Sequence, residues 1–312
     1  MNLLYTLYII SGYLFILYFL WVSNRETIQA SELHREYASK LIAYVLGSQE
    51  SPEQSLQATS RQQRNALIQT IHGLISHTYD SQRDAIRLIV KQNQLQKHIV
   101  KQLPYSTALH KCRLLWQLTS IIYDDKCVIS TLTKYLNSSN HNIRIHALIA
   151  ILSAKPSELI SIISSLQFRL KPSDILRIIA LIRQGSLFVV IEPLFESDNR
   201  NLKMLALAIV SNFGIDIADK YIYHIINNEQ DPTIVEEAIY TLTTLKRPLK
   251  YRAIRECLAS ASEHQRMKLC RHLSVEGYSL NSIKAILNPA ECQYAKQLIT
   301  SFKRQIIQTQ SV

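Results

Sequence analysis

Four stretches of this chain open on a polar or proline-bearing cap, continue as an apolar helix and recur at nearly even intervals. Asn140 precedes HNIRIHALIAILS, and Pro172 with Ser173 precedes DILRIIALIRQG. Asp198 precedes NRNLKMLALAIVSNFG, and Asp231 stands before PTIVEEAIYTLTTLK with Pro232 at the first helical position. Such side chains accept hydrogen bonds from the free amides of a first turn, and proline has no amide there to lose. Gly185 and Gly214 close two of the helices, Gly277 closes EHQRMKLCRHLSVEG, and Asn288 with Pro289 repeats the opening before AECQYAKQLITSFKRQ. No single hairpin can cover apolar faces of this width, so the copies must stack.

The copies share more than their caps. Three carry an apolar-basic pair, Ile143-Arg144, Leu176-Arg177 and Leu202-Lys203, and an alanine follows each at Ala147, Ala180 and Ala206. The fourth has Ile234-Val235 and Ala238, without the basic residue. Apolar segments ELISIISSL, LFVVIEPLF and DKYIYHIIN lie between them, which gives a period of roughly 30 residues made of two antiparallel helices. On HNIRIHALIAIL, NLKMLALAIVSNFG and DPTIVEEAIYTLTTL the chain resembles HEAT-type repeats of the armadillo-like α-solenoid class, over about residues 106–308. That resemblance implies an all-α solenoid of stacked helix pairs over 105–312, with second helices lining an inner surface that holds a protein partner.

Composition agrees with helix. Only 6 glycines and 8 prolines occur in 312 residues, too few for an all-β fold and too dispersed for a phosphate-binding loop. No HExxH or GxSxG motif occurs. His72 and His77 are five apart, as are His141 and His146, which turns the rings to different helix faces. Asp124-Asp125 and Glu236-Glu237 read as helix starts, where carboxylates favour the dipole. No catalytic residue, metal site or cofactor is expected, and the chain reads as a non-enzyme. Cys112, Cys127, Cys257, Cys270 and Cys292 are odd in number and widely spaced, which points to free thiols in a reducing compartment, mostly as small core residues.

The first hundred residues do not follow the repeat. Leu3 to Val22 is a run of twenty uncharged, mostly apolar residues, about 30 Å as a helix and so about one bilayer core. Tyr5 and Tyr8 lie near one end, Tyr18 and Trp21 near the other, where aromatic rings prefer the membrane interface. Bulky residues end the run, against a cleavage site, so residues 1–24 are expected to be a permanent transmembrane anchor. Arg25, Arg35 and Lys40 follow it and no basic residue precedes it, which keeps the bulk of the chain cytoplasmic, as at a bacterial inner membrane. Residues 25–104 read as a juxtamembrane helical region: a helix to about 46 with Leu33, Tyr37, Leu41 and Ile42 on one face, a polar linker over 47–60, and helices over 61–79 and 81–103.

The net charge of +11 is spread along the soluble part. Its densest stretch is 246–271, where Lys246, Arg247, Lys250, Arg252, Arg255, Arg266, Lys268 and Arg271 outnumber Glu256 and Glu263. With Arg144, Arg177 and Lys203 these are the candidate partner contacts. Anionic groups suit such a patch: an acidic protein first, lipid headgroups next, and nucleic acid last, because Tyr251 alone offers a stacking ring. The function expected is a membrane-anchored scaffold or adaptor for a membrane-associated protein partner, possessing the means to assist a membrane enzyme or transport complex. The alternative is a nucleic-acid binder with a basic concave face.

Overall fold

The computed structural model describes residues 28–44 except 30, 56–75, 80–247 except 186 and 188, 262–275, and several positions from Cys292 to Thr300. The expected transmembrane run, with Tyr5, Tyr8, Tyr18, Trp21 and Arg25, lies outside the described residues. So do Lys250, Arg252, Arg255, Cys257, Gly277 and the Asn288-Pro289 cap. Among the described residues every regular element is helical, and no single helix is long and apolar enough to cross a membrane.

The chain forms two compact units, Met1–Pro156 and Ser157–Val312. In the first, a helix over 31–44 (α1) is followed by α2 Arg61–Ile75, α3 Asp80–Gln92, α4 Leu95–Gln102, α5 Ala108–Ile121, α6 Lys126–Leu136 and α7 His141–Ala154. Helix α5 packs against α2, α4 and α7, and α6 lies against α4 and α7. Tyr37 and Leu41 of α1, Leu67 and Ile71 of α2, Leu115 and Leu118 of α5, and Leu148 and Leu152 of α7 are buried. Each such side chain contributes about 1.5–3 kcal/mol relative to exposure. Ile42, expected on the apolar face of α1, is 44% exposed.

Three expectations change here. The helix expected over 81–103 is broken at Asn93 and Gln94, and Gln94 has a left-handed φ of 50°. Asn93 causes the break: its Oδ1 accepts from the Ala58 amide (2.6 Å) and its Nδ2 donates to the Leu56 carbonyl (3.0 Å). The polar 47–60 stretch therefore ends as a buried strap, with Leu56 and Ala58 inside, and not as an open loop. Packing also runs across the boundary expected at residue 105, since α2 and α4 lie against α5.

The second unit holds α8 Leu159–Ser164, α9 Pro172–Arg183, α10 Glu192–Glu196, α11 Arg200–Phe213, α12 Asp219–Asn228, α13 Pro232–Thr244 and α14 Glu263–Val275. Helix α11 packs against α9 on one side and α13 on the other, with α8 and α10 also against it. α12 and α14 lie against α13. Long second helices α9, α11 and α13 thus follow one another side by side, with the shorter α10 against α11 and α12 against α13, which is helical-repeat packing. A buried asparagine straps this unit too. Asn201 Oδ1 accepts from the Leu170 amide (2.9 Å) and Nδ2 donates to the Phe168 carbonyl (3.0 Å), the same two-residue span that Asn93 holds.

The caps fix the helical register. Asn140 Oδ1 accepts from the Asn142 and Ile143 amides, Asp231 Oδ1 from Thr233, and Asp125 Oδ1 from Cys127 and Val128, as expected. α11 is capped by Asn199, not Asp198, through the Asn201 and Leu202 amides. α9 starts earlier than expected, at Pro172, where Asp174 Oδ2 accepts from the Lys171 amide (2.8 Å). Ala147, Ala206 and Ala238 hold one position relative to their caps, and all are fully buried. In α9 that position belongs to buried Ile178, and Ala180 is exposed. Gly214 ends α11 at φ 67°, a conformation that costs glycine nothing. The thiols are less buried than expected: Cys270 is buried, Cys112 and Cys292 are half-buried, and Cys127 is exposed.

Candidate functional site

The basic residues singled out from the sequence meet different fates. Arg144 is half-buried and ties down its own cap loop, donating to the carbonyls of Ser138 (2.7 Å) and Ser139 (3.4 Å). Lys203 holds the same position relative to its cap and pairs with Glu229 at 2.5 Å, both side chains largely buried. Beside it Arg200 Nε lies 2.9 Å from Asp231 Oδ2, so two ion pairs join the start of α11 to the start of α13. The Lys203 hydrogen bond outweighs burial and holds the Glu229 carboxyl below its ordinary range. Burial pushes the Asp231 carboxyl up, but the Thr233 amide and Arg200 together bring it lower than usual. Arg177 falls in another register: the caps align Ile175 with Arg144 and Lys203, and Arg177 is exposed.

Within 246–271 the described residues are again mostly engaged. Arg247 bridges Asp216 (2.6 Å) and Asp219 (3.1 Å). Lys268 lies 3.6 Å from Glu236 and over the Tyr240 ring at 4.9 Å. Burial raises the Glu237 carboxyl, Lys268 opposes this, and Glu236 adds to it. Arg266 is half-buried, and Arg271 is exposed.

Two other surfaces emerge. On the second unit, Leu176 and Ala180 of α9 are exposed and lie one turn apart, with Arg183 continuing the stripe. The Arg183 guanidinium donates to Asn212 (2.9 Å) and stands 5.9 Å over the ring of Phe213, itself 42% exposed. Exposed leucine, aromatic ring and arginine together make a mixed apolar-basic stripe from α9 to the end of α11.

On the first unit a cleft of about 740 Å³ is lined by Arg61 and Arg64 of α2, His98, Lys101 and Gln102 of α4, Tyr105, Ser106 and Thr107 of the connection, and His110 of α5. Arg64 Nε donates to the Ala58 carbonyl (3.1 Å), so the buried strap also positions this guanidinium. Arg61 reaches the Gln102 carboxamide at 3.5 Å, and His98 Nε2 lies 3.0 Å from Asn65 Oδ1. Burial lowers the His98 imidazole, and Arg64, Arg61 and Lys101 each lower it further. None of the lining residues is acidic. Sequence reading missed the cleft because its cations come from two separate helices, Arg61 and Arg64 from α2 and Lys101 from α4, about forty residues apart in the chain.

No family model matches the chain, and neither does any curated protein. Among solved structures it is similar to two engineered proteins. One is 16% identical, with TM-score 0.28, covering 86% of this chain and 72% of the other. The second is 17% identical, with TM-score 0.24, covering 79% and 94%. It is also similar to a designed armadillo repeat protein in complex with the peptide (KR)4, at 13% identity and TM-score 0.25, covering 86% and 99%. Scores this low bear neither on the fold nor on a ligand. The helical-repeat class rests instead on the chain's own recurring caps and side-by-side second helices.

Proposed function

We propose that this chain is a HEAT-like scaffold or adaptor that binds a protein partner and that residues 3–22 anchor it in a membrane with its bulk cytoplasmic. The observation that carries the binding role is the stripe from α9 to α11. Leu176 (57% exposed) and Phe213 (42%) stay open to solvent there, and the Arg183 guanidinium stands over the Phe213 ring. Aromatic rings and arginine are enriched at the centres of protein interfaces, and an apolar neighbour such as Leu176 adds area for a partner to cover. The anchor rests on the uncharged Leu3–Val22 run and on Arg25, Arg35 and Lys40 beyond it. Holding the repeats at the bilayer raises their effective concentration toward a membrane-associated partner. In this reading the chain works by assembly and performs no chemistry of its own.

Cross-linking in native membranes tests the binding role. The wild-type chain recovers a defined partner, and Leu176→Asp with Phe213→Asp, on a chain of unchanged helicity, loses it. The same set of cross-linked proteins from both chains removes this reading. Retention in the membrane pellet at alkaline pH, lost on deletion of residues 1–24, tests the anchor separately.

A further inference from the structure

We propose that the basic cleft of the first unit, between the start of α2, α4 and the start of α5, binds an acidic peptide segment of a protein partner. The inference rests on the reading of the chain as a protein-binding scaffold and names the chemistry of one contact.

The case starts from charge pairing. Elsewhere among the described residues this chain supplies carboxylates to many of its cations: Glu229 to Lys203, Asp231 to Arg200, Asp216 and Asp219 to Arg247, Asp84 to Arg87, Glu36 to Lys40. In the cleft, Arg61, Arg64 and Lys101 converge with His98 and His110, and among the described residues no Asp or Glu lines it. Their hydrogen bonds go to neutral groups, Gln102 and the Ala58 carbonyl. Like charges gathered in one concavity repel, and a low-dielectric wall focuses their field outward. Burial lowers the His98 imidazole most, and all three cations lower it further. An anion entering the cleft relieves the repulsion, and guanidinium forks match carboxylates in pairs.

Size and rim select among anions. The cleft is open to solvent, and its space of about 740 Å³ is far more than a single small ion fills. Tyr105 is 93% exposed and Leu109, one residue before His110, is 84% exposed. The first turn of α5, where Thr107 Oγ1 accepts from the His110 amide, adds the partial positive charge of a helix start. Cations within and the exposed Tyr105 ring in the lining suit a chain that carries both acidic and apolar side chains. One aromatic ring is a poor platform for successive bases.

The test uses the full-length chain in detergent and a labelled short peptide of alternating Glu and Leu, with Lys in place of Glu as the control peptide. Fluorescence anisotropy should show binding of the acidic peptide that weakens with salt, and none of the basic one. Arg61→Gln with Lys101→Gln, both at exposed positions, should weaken binding roughly tenfold or more. Lys134→Gln with Lys220→Gln removes the same charge from residues that do not line the cleft and should leave binding within about twofold. No peptide binding, or equal loss in both double variants, overturns the proposal. So does capture by phosphatidylglycerol vesicles or by a single-stranded oligonucleotide without peptide affinity. The scaffold reading is scored separately: the Leu176→Asp, Phe213→Asp cross-linking result stands whether or not the cleft binds the peptide.

Discussion

Asn93, Asn142 and Asn201 are the same residue in one helix break and two helix first turns, and only Asn93 and Asn201 hold a distant segment. Asn93 and Asn201 are buried, and each satisfies one amide and one carbonyl of a distant strap. Asn142 stands at the same position relative to its cap as Asn201 and is exposed. Removing a strap side chain withdraws a hydrogen bond from one buried amide and one buried or half-buried carbonyl, so Asn201→Ala and Asn93→Ala should each cost about 1–3 kcal/mol. Asn142→Ala should stay within about 0.5 kcal/mol. Urea unfolding of the three variants measures the difference, and similar midpoints would show that the straps hold nothing. The sequence could not separate these asparagines, because the partner of each strap lies more than thirty residues away and is a backbone with no side-chain signature. Caps were far more legible. Asn140, Asp125 and Asp231 act on amides two or three residues on, and local chemistry of that kind is visible in a string of letters.

At the scale of the helix, register decides what a residue is for. Ala147, Ala180 and Ala206 align by eye with the basic residues before them, yet the caps place Ala180 out of step and at the surface. Ala206 is fully buried in α11, which is flanked by α9 and α13, where a small side chain lets neighbouring helices approach closely. Ala206→Leu should therefore overpack the unit and cost about 1–3 kcal/mol. Ala180→Leu, exposed on α9, should change stability by less than about 0.5 kcal/mol. Equal thermal shifts in the two variants would return Ala180 to the buried row. The slip arose because the sequence shows Leu176-Arg177 as a cap-proximal pair, and only the Asp174 bond to the Lys171 amide reveals where α9 begins. The basic residues show the same limit. Charge density over 246–271 was plain in the letters, but whether a cation meets a carboxylate depends on neighbours a repeat away, as Arg200 and Asp231 do.

Across the whole molecule the two units carry different titrating groups, and their acid responses should differ accordingly. In the first, burial holds the imidazole of His72 below its ordinary range, and burial with three cations does the same to His98. The unfolded chain takes up these protons first. The stability that depends on them is full above about pH 6.5 and is lost as pH falls through that value toward their depressed ones. In the second unit Glu229 and Asp231 sit below the carboxylate range, so their contribution persists until pH falls below about 4. Glu237 works in the opposite sense, since its raised carboxyl favours folding only while protonated, and Glu237→Gln should stabilise the chain at neutral pH but not in acid. Trp116 lies edge-on to the His72 ring at 3.8 Å and can report on the first unit once Trp21→Phe removes the other indole. Its urea midpoint should fall between about pH 7 and pH 5, and His72→Gln with His98→Gln should flatten that fall. Helical circular dichroism of the same variant at those pH values, without urea, should hold until the carboxylates titrate. Loss of helicity and of the Trp116 signal together in one step near pH 4 would mean that the imidazoles contribute nothing to the first unit's acid sensitivity.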